Sequence, residues 1–307
     1  MNRDHLVDAG FAAGWRVVRA IPEAGARRLF ERAGELAARR GGLGPRRLRA
    51  NLARVVPDAG PQRLDALVRE GMRSYARYWC EAFRLPSMDP ADVHRRTDPM
   101  VTGAGQALAA LAAGRGVVFA LPHSGNWDLA GVWMVETLRR RGAEPVLTTV
   151  AERLRPESLF RRFVAYRESL GFEVLVAEDA VAAYRALTRR LRGAGVVCLV
   201  ADRDFTAAGV EVSFFGEPAR FPAGPARLAA LTGALLVPAC PRFTADGWAV
   251  TMGPPVPVPD RAAVPAATQA VADAFAGLIA RAPQDWHMLQ PLWDADRPVP
   301  VHVPVPS

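Results

Sequence analysis

Residues 116–128 read Gly-Val-Val-Phe-Ala-Leu-Pro-His-Ser-Gly-Asn-Trp-Asp. The apolar run 116–120 has the character of a strand, and Pro122 and Gly125 mark a turn after it. Residues 126–141 then read as a helix carrying Leu129 to Leu138. The unit is strand, turn, helix, and the chain repeats it. Further strands are expected at 145–150, 173–176, 196–201, 210–215, 235–243 and 248–252, with helices at 104–113, 156–170, 180–193, 223–232 and 266–281. Such alternation predicts an α/β fold with a mixed, mostly parallel central sheet flanked by helices. The segment Val-Val-Cys-Leu-Val at 196–200 is apolar throughout, as a strand covered on both faces should be.

Upstream of this core, residues 1–86 read as helices. Val7, Phe11, Trp15 and Val18 form a stripe at helical spacing. A second helix runs from Pro22 to the Gly41–Pro45 cluster, a short one covers 45–55, and a long one extends from Pro61 to about Phe83. The first stripe suits either packing on the core or an amphipathic helix lying at a membrane interface. The expected organisation is a single domain over 1–307, with N-terminal helices (1–86), an α/β catalytic core (87–294) and an extended Pro-Val tail (295–307).

Composition narrows the chemistry. Of 307 residues, 50% are hydrophobic and 23% charged, a globular balance. The net charge is +8, and all 39 basic residues are Arg. The absence of Lys excludes P-loop and Schiff-base lysines. An Arg surplus calls for an anionic partner, but the Arg pairs are scattered and no recognised nucleic-acid module appears. Cys80, Cys198 and Cys240 stand apart, which argues against a disulfide framework or a paired-Cys metal site. His5, His94, His287 and His302 are equally isolated, so no metal is expected. No apolar run reaches the ~18 residues of a spanning helix.

His123 falls on a strand-to-helix turn, where sites of open α/β sheets collect. Gly125 permits the turn, and Asp128 falls in the first helical turn, five residues after His123. Folded back, its carboxylate would fix the imidazole tautomer and make a general base of the other nitrogen. Ser124 adjoins His123, but adjacent side chains on extended backbone point apart, and no Gly-x-Ser-x-Gly elbow occurs. Direct attack by a bound hydroxyl is therefore the expected chemistry. Arg167 shares a helix face with Phe160, Phe163 and Val164 and needs an anion, either Glu152 or a ligand. Asp202, Arg203 and Asp204 end the buried strand at 196–201. Arg220 precedes the turn Pro222–Pro225, whose helix amides suit a phosphate. Arg203 and Arg220 are open to ion pairs with Asp204 or Glu217.

These blocks form an ordered set. His123-x4-Asp128, Ala-Asp-Arg-Asp at 201–204, Phe-Phe-Gly at 214–216 and Pro-Ala-Gly-Pro-Ala-Arg-Leu-Ala-Ala-Leu-Thr-Gly-Ala at 222–234 resemble the lysophospholipid acyltransferase superfamily, in its lipid A late acyltransferase branch. Pro-Gln-Asp-Trp-His-Met-Leu-Gln-Pro-Leu-Trp at 283–293 is similar to the actinobacterial-type sub-branch acting on phosphatidylinositol mannosides. The likeness covers about 45–294. Where the lipid A branch usually carries Glu, this chain has Asp128, so that branch's substrate does not carry over. The resemblance implies transfer of a fatty acyl chain from acyl-CoA to a mannose hydroxyl of a glycophospholipid; the alternatives are another lipid A-like or lysophospholipid acceptor, or an acyl-CoA thioesterase or esterase that uses water. Peripheral attachment to an anionic membrane, at the cytoplasmic face of the plasma membrane, goes with it. It implies His123 as base, Asp128 as its orienting partner, and Glu152, Arg167, Asp202, Arg203 and Arg220 as substrate contacts. Backbone N–H groups near Gly125 would serve as the oxyanion site. No metal, resident cofactor, nucleic-acid partner or covalent acyl-enzyme is required.

Overall fold

The computed structural model describes residues 18–151, 153, 157–204 and 209–296. After helical residues 18–20 come three helices: α1 (Glu23–Arg40), α2 (Leu43–Val55) and α3 (Pro61–Arg84). Gly41, at φ +66°, ends α1 in the left-handed conformation that helix C-termini favour, and its N–H returns to the Ala37 and Ala38 carbonyls. Pro61 opens α3 at a position where its missing N–H costs nothing. Helix α1 lies directly on α3: a Cβ on Gly34 would stand 2.4 Å from the Met72 carbonyl oxygen, so only glycine permits the approach. The stripe residues Val7, Phe11 and Trp15 lie outside the described residues.

The core follows as α4 (Pro90–Thr97), β1 (Val101–Thr102), α5 (Gly105–Ala112), β2 (Val117–Leu121), α6 (Trp127–Arg140), β3 (Leu147–Ala151), α7 (Glu157–Ser169), β4 (Phe172–Val176), α8 (Ala180–Arg192) and β5 (Val196–Val200). A hairpin of β6 (Val210–Phe214) and β7 (Glu217–Phe221) leads to α9 (Gly224–Thr232), β8 (Leu235–Phe243), β9 (Trp248–Met252) and α10 (Val264–Ile279). Seven strands form one sheet in the order β1-β9-β8-β2-β5-β3-β4. Every neighbouring pair is parallel except β8 with β9. The α/β expectation, mixed and mostly parallel, holds.

Strand β2 is buried at all five positions because both its faces are covered. Val118 and Ala120 face a core shared with α8, α9 and α10, while Val117, Phe119 and Leu121 face a second core shared with α6. This is the period-2 alternation of a strand between two helical layers. From β2 the chain steps out to β3 and β4, returns to β5, and then crosses to the other side of β2 through β8. Such a reversal opens a crevice at the carboxyl ends of the strands.

Three elements differ from the sequence expectation. Helix α4 and the short edge strand β1 are additional. Strand β7 was missed because Pro218 argues against a strand, yet in a two-stranded hairpin each strand is an edge that tolerates it. The connecting turn is Phe215-Gly216, both at positive φ (49° and 82°), where Asn-Gly is the usual signal.

Candidate active site

His123 stands two residues beyond β2, and Asp202 two residues beyond β5. The β2–β5 register pairs Leu121 with Val200, so parallel continuation sets His123 level with Asp202. Asp202 Oδ1 lies 2.5 Å from His123 Nδ1, and its Oδ2 accepts the His123 backbone N–H at 2.9 Å and the Trp286 Nε1–H at 2.9 Å. Asp202 is fully buried, whereas the imidazole keeps 30% of its surface. Burial works against the Asp202 charge, but the imidazole, the Trp286 indole and the His123 amide together hold its carboxyl below the usual carboxylate range. With Asp202 on Nδ1, the proton on that nitrogen is fixed and Nε2 is the atom that can accept another.

The turn itself is anchored from three directions. Asn126 caps α6 by accepting the Leu129 N–H at 3.1 Å and donates to Glu81 of α3 at 2.9 Å. Gly125, at φ +54°, sits so close to β8 that a Cβ would meet the Pro241 backbone at 2.7 Å. Segment 285–287 runs antiparallel to the turn: the Gly125 N–H donates to the Asp285 carbonyl at 2.9 Å and the His287 N–H to the His123 carbonyl at 2.7 Å.

Asp128 takes a different partner. At the second position of α6 its carboxylate receives Arg167 Nε of α7 at 2.9 Å and the Tyr78 hydroxyl of α3 at 3.4 Å. Both members of the ion pair are buried. Burial opposes the Arg167 charge, and Asp128 outweighs it, raising the guanidinium's pKa above its ordinary value. Asp128, Arg167, Trp127, Thr149 and Cys198 line a cavity of about 60 Å³. A smaller apolar cavity of about 20 Å³ continues behind it, sharing Leu121, Gly131, Leu147 and Cys198 as walls. Two larger depressions, of about 470 and 440 Å³, lie elsewhere, one around α4 and one at the amino end of the sheet around Val146 and Val196.

The expected partnership of His123 with Asp128 is therefore replaced. Asp202, expected to bind substrate, takes Nδ1 of the imidazole, while Asp128 pairs with Arg167. Once α6 has begun at Trp127, the Asp128 side chain belongs to a helical turn packed on α3 and α7. The Gly125 N–H is committed to Asp285 and is not an oxyanion donor. Arg167 is turned inward as its helix face predicts, with Asp128 as the anion. Arg220 is within 3.6 Å of Glu211 and 3.7 Å of Asp294, while Glu217 is bonded by Arg54 at 2.9 Å. Arg203 is half-buried beside Asp202 in sequence. Glu152 lies outside the described residues.

No thiol or hydroxyl is set up as a nucleophile among these groups. Burial pushes the Cys80 thiol up to about 11 and those of Cys198 and Cys240 to about 12. Ser124 is 1% exposed and hydrogen-bonds the Cys240 thiol. It turns away from its neighbour, as alternation on extended backbone requires.

Comparison with known proteins now decides the class. The family model of bacterial lipid A biosynthesis acyltransferases matches residues 3–295. The chain belongs to that family. Within it, the chain is 51% identical over 292 residues to a protein of Mycolicibacterium smegmatis named phosphatidylinositol mannoside acyltransferase, covering 95% of this chain and 92% of that one. It is 50% identical over 293 residues to the protein of the same name from Mycobacterium tuberculosis, covering 94% and 89%. The protein is an O-acyltransferase of this family.

The residues that reading the sequence missed in this candidate site are Trp286, Asp285, His287 and Tyr78. His287 was set aside as a solitary histidine. It is buried, bonded to Ser74 Oγ at 2.8 Å, and burial pushes its pKa down to about 3, so it stays neutral. The Trp-His pair was visible in the block 283–293, but nothing in the sequence shows that this block returns to the strand ends.

Proposed function

We propose that the protein transfers a fatty acyl group from acyl-CoA to a mannose hydroxyl of a phosphatidylinositol mannoside, with His123 as general base and Asp202 as the carboxylate that orients it. The observation that carries this reading is the 2.5 Å contact between His123 Nδ1 and Asp202 in an imidazole left partly open to solvent. The relatives' names supply the acceptor class.

In the reaction, the acceptor oxygen attacks the thioester carbonyl carbon while its proton passes to His123 Nε2. The tetrahedral intermediate expels the CoA sulfur, which takes the proton from Nε2, and the ester forms. Asp202 stabilises the imidazolium in between. The cavity lined by Asp128, Arg167 and Leu121 is the place for the start of the acyl chain. Long chains require its walls to part, because about 60 Å³ holds only a few methylenes. Glu152 and Arg203 are proposed to meet the acceptor's polyol and phosphate, with Arg220 at the rim.

Attachment to an anionic membrane surface, at the cytoplasmic face, is part of the same proposal. Among the described residues no helix is long and apolar enough to cross a membrane. The outer face of α1 exposes Leu29 and Leu36, with Leu43 beyond, beside Arg28, Arg32, Arg39 and Arg40. Apolar side chains among cations suit a headgroup layer.

The test is purified protein with acyl-CoA and a panel of mannosylated phosphoinositides, read by mass. His123→Ala should fold normally and lose about 10²–10⁴-fold in transfer rate. Near-normal turnover in the folded variant sinks the mechanism. Transfer to other lipids but to no mannosylated acceptor sinks the substrate assignment.

A further inference from the structure

We infer that Trp286 is a positioning residue of the reaction, holding Asp202 in line with the imidazole through its indole N–H. This rests on the proposed role of His123 as base. Asp202 accepts from three donors, and two of them, Nδ1–H and the backbone N–H, belong to His123 itself. A carboxylate bonded only to the residue it must orient can swing with it. Among the described residues, the Trp286 Nε1–H, at 2.9 Å, is the one bond that ties the carboxylate to a separate part of the molecule.

That separate part is rigid. Trp286 is fully buried, packed edge-on against Phe214 and Trp293 with ring centroids 6.0 and 6.1 Å away. Its backbone bridges Ser124, and its flanking residues bond Gly125 and His123. Ser74 of α3 donates to Asp285 at 2.7 Å, and the Asn51 amide of α2 donates to the Met288 and Gln290 carbonyls at 2.7 and 3.0 Å. The N-terminal helices thus fix the segment, the segment fixes Trp286, and Trp286 fixes Asp202. An outer partner that locks the rotamer of an inner group is the usual way such dyads keep their geometry.

The indole also tempers the carboxylate. A neutral N–H donor disperses the charge of Asp202, so removing it leaves more charge facing the imidazole and favours the imidazolium. The acidic limb of the rate profile should then move to higher pH. Among the described residues, Asp202 acts on the Cys240 thiol and His123 on His287; Asp285 and Arg242 act on the same thiol, and Arg203 and Asp204 follow Asp202 in the chain. The indole N–H is spent on Asp202, so the substitution leaves the bonds of His287, Asp285, Cys240 and Arg242 in place.

The experiment uses Trp286→Phe in the full chain, with acyl-CoA and a mannosylated phosphoinositide, measuring kcat and both KM values against pH. We expect kcat to fall roughly 10- to 100-fold, the worth of a hydrogen bond to a charged group, with KM values changed by no more than about twofold. The control is Trp293→Phe, an equally buried indole that donates to the Phe214 carbonyl at 2.8 Å instead. It should lower the melting temperature comparably and leave kcat and the acidic limb unmoved. If Trp286→Phe does not fold, replacing Trp286 by 3-benzothienylalanine keeps the ring shape and removes only the N–H. An unchanged kcat with an unmoved limb in either folded variant overturns the inference. His123→Ala in the same assay separates the two levels: if it stays active, the base assignment fails, and if it alone is inactive, only the role of Trp286 fails.

Discussion

Asp202 and Asp128 are both buried carboxylates beside the carboxyl end of β2, and they are held in opposite ways. Asp128 meets a guanidinium, a cation that never releases its proton at accessible pH. The pair is a permanently compensated charge, wedged between α3, α6 and α7. Asp202 meets an imidazole, a ring that can take up and release a proton at Nε2 as a guanidinium cannot. Its charge is compensated only while that proton is present, so it favours the protonated ring each time one arrives. In the proposed mechanism one carboxylate builds the wall and the other tunes the base. The lesson is that burial alone does not distinguish the two carboxylates; the chemistry of the partner, imidazole or guanidinium, does.

The largest expected effect tests the tuning side. Asp202→Asn removes the charge that stabilises the imidazolium and lets the amide present the wrong group to Nδ1. We expect kcat to fall by about 10²–10⁴-fold with little change in KM and an unchanged far-UV circular dichroism spectrum. A folded Asp202→Asn enzyme within a few-fold of the parent would place the orienting carboxylate elsewhere and dissolve the contrast.

The wall side should show itself in stability. Asp128→Asn leaves Arg167 buried and uncompensated, and Arg167→Met does the same to Asp128. Each should cost about 3–5 kcal/mol in urea unfolding, because removing one partner strands the other charge. The double variant should recover much of that loss, since no stranded charge remains. Additive losses in the double variant would mean that the two side chains stabilise the fold independently. A separate measure of kcat on Asp128→Asn sharpens the comparison: the further it falls toward the Asp202→Asn value, the more the wall shares in the chemistry.

The same pair explains what reading the sequence could and could not reach. The strands at 235–243 and 248–252 were legible to the residue, because their boundaries are set by local turn residues and apolar runs. The position of His123 was legible, on the turn after a buried strand and before a helix. Its partner was not. Asp128 is five residues away in sequence and Asp202 is 79, yet the β2–β5 register brings the distant one level with the ring. Register between parallel strands is a property of the sheet, and the intervening helices and strands hide it from any local spacing. Trp286 was hidden for the same reason, since it enters the site by a return of the chain after α10. The hairpin turn at Phe215-Gly216 was hidden for another: a Phe at positive φ is outside the usual turn chemistry.

The smallest expected effect concerns the residue between these two systems. Ser124 lies beside His123 in sequence, but its backbone bridges Trp286 and its hydroxyl bonds the Cys240 thiol inside the fold. If acyl transfer is direct, this hydroxyl never meets the thioester. Ser124→Ala should keep kcat within about twofold and lose no more than about 1 kcal/mol of stability, the ordinary net worth of one neutral hydrogen bond. Intact-protein mass spectrometry after mixing the parent with acyl-CoA alone should show no added acyl mass, because Cys80 and Cys240 are buried, Cys198 is half-buried, and the surroundings hold all three thiols in their neutral form. A stoichiometric adduct that the mannosylated acceptor then discharges would require a covalent intermediate and ping-pong kinetics. In that case Ser124 or a thiol would have to turn outward during turnover. The Asp202–His123 pair would then serve the nucleophile rather than the acceptor hydroxyl, and the contrast between the two carboxylates would survive with a different proton as its object.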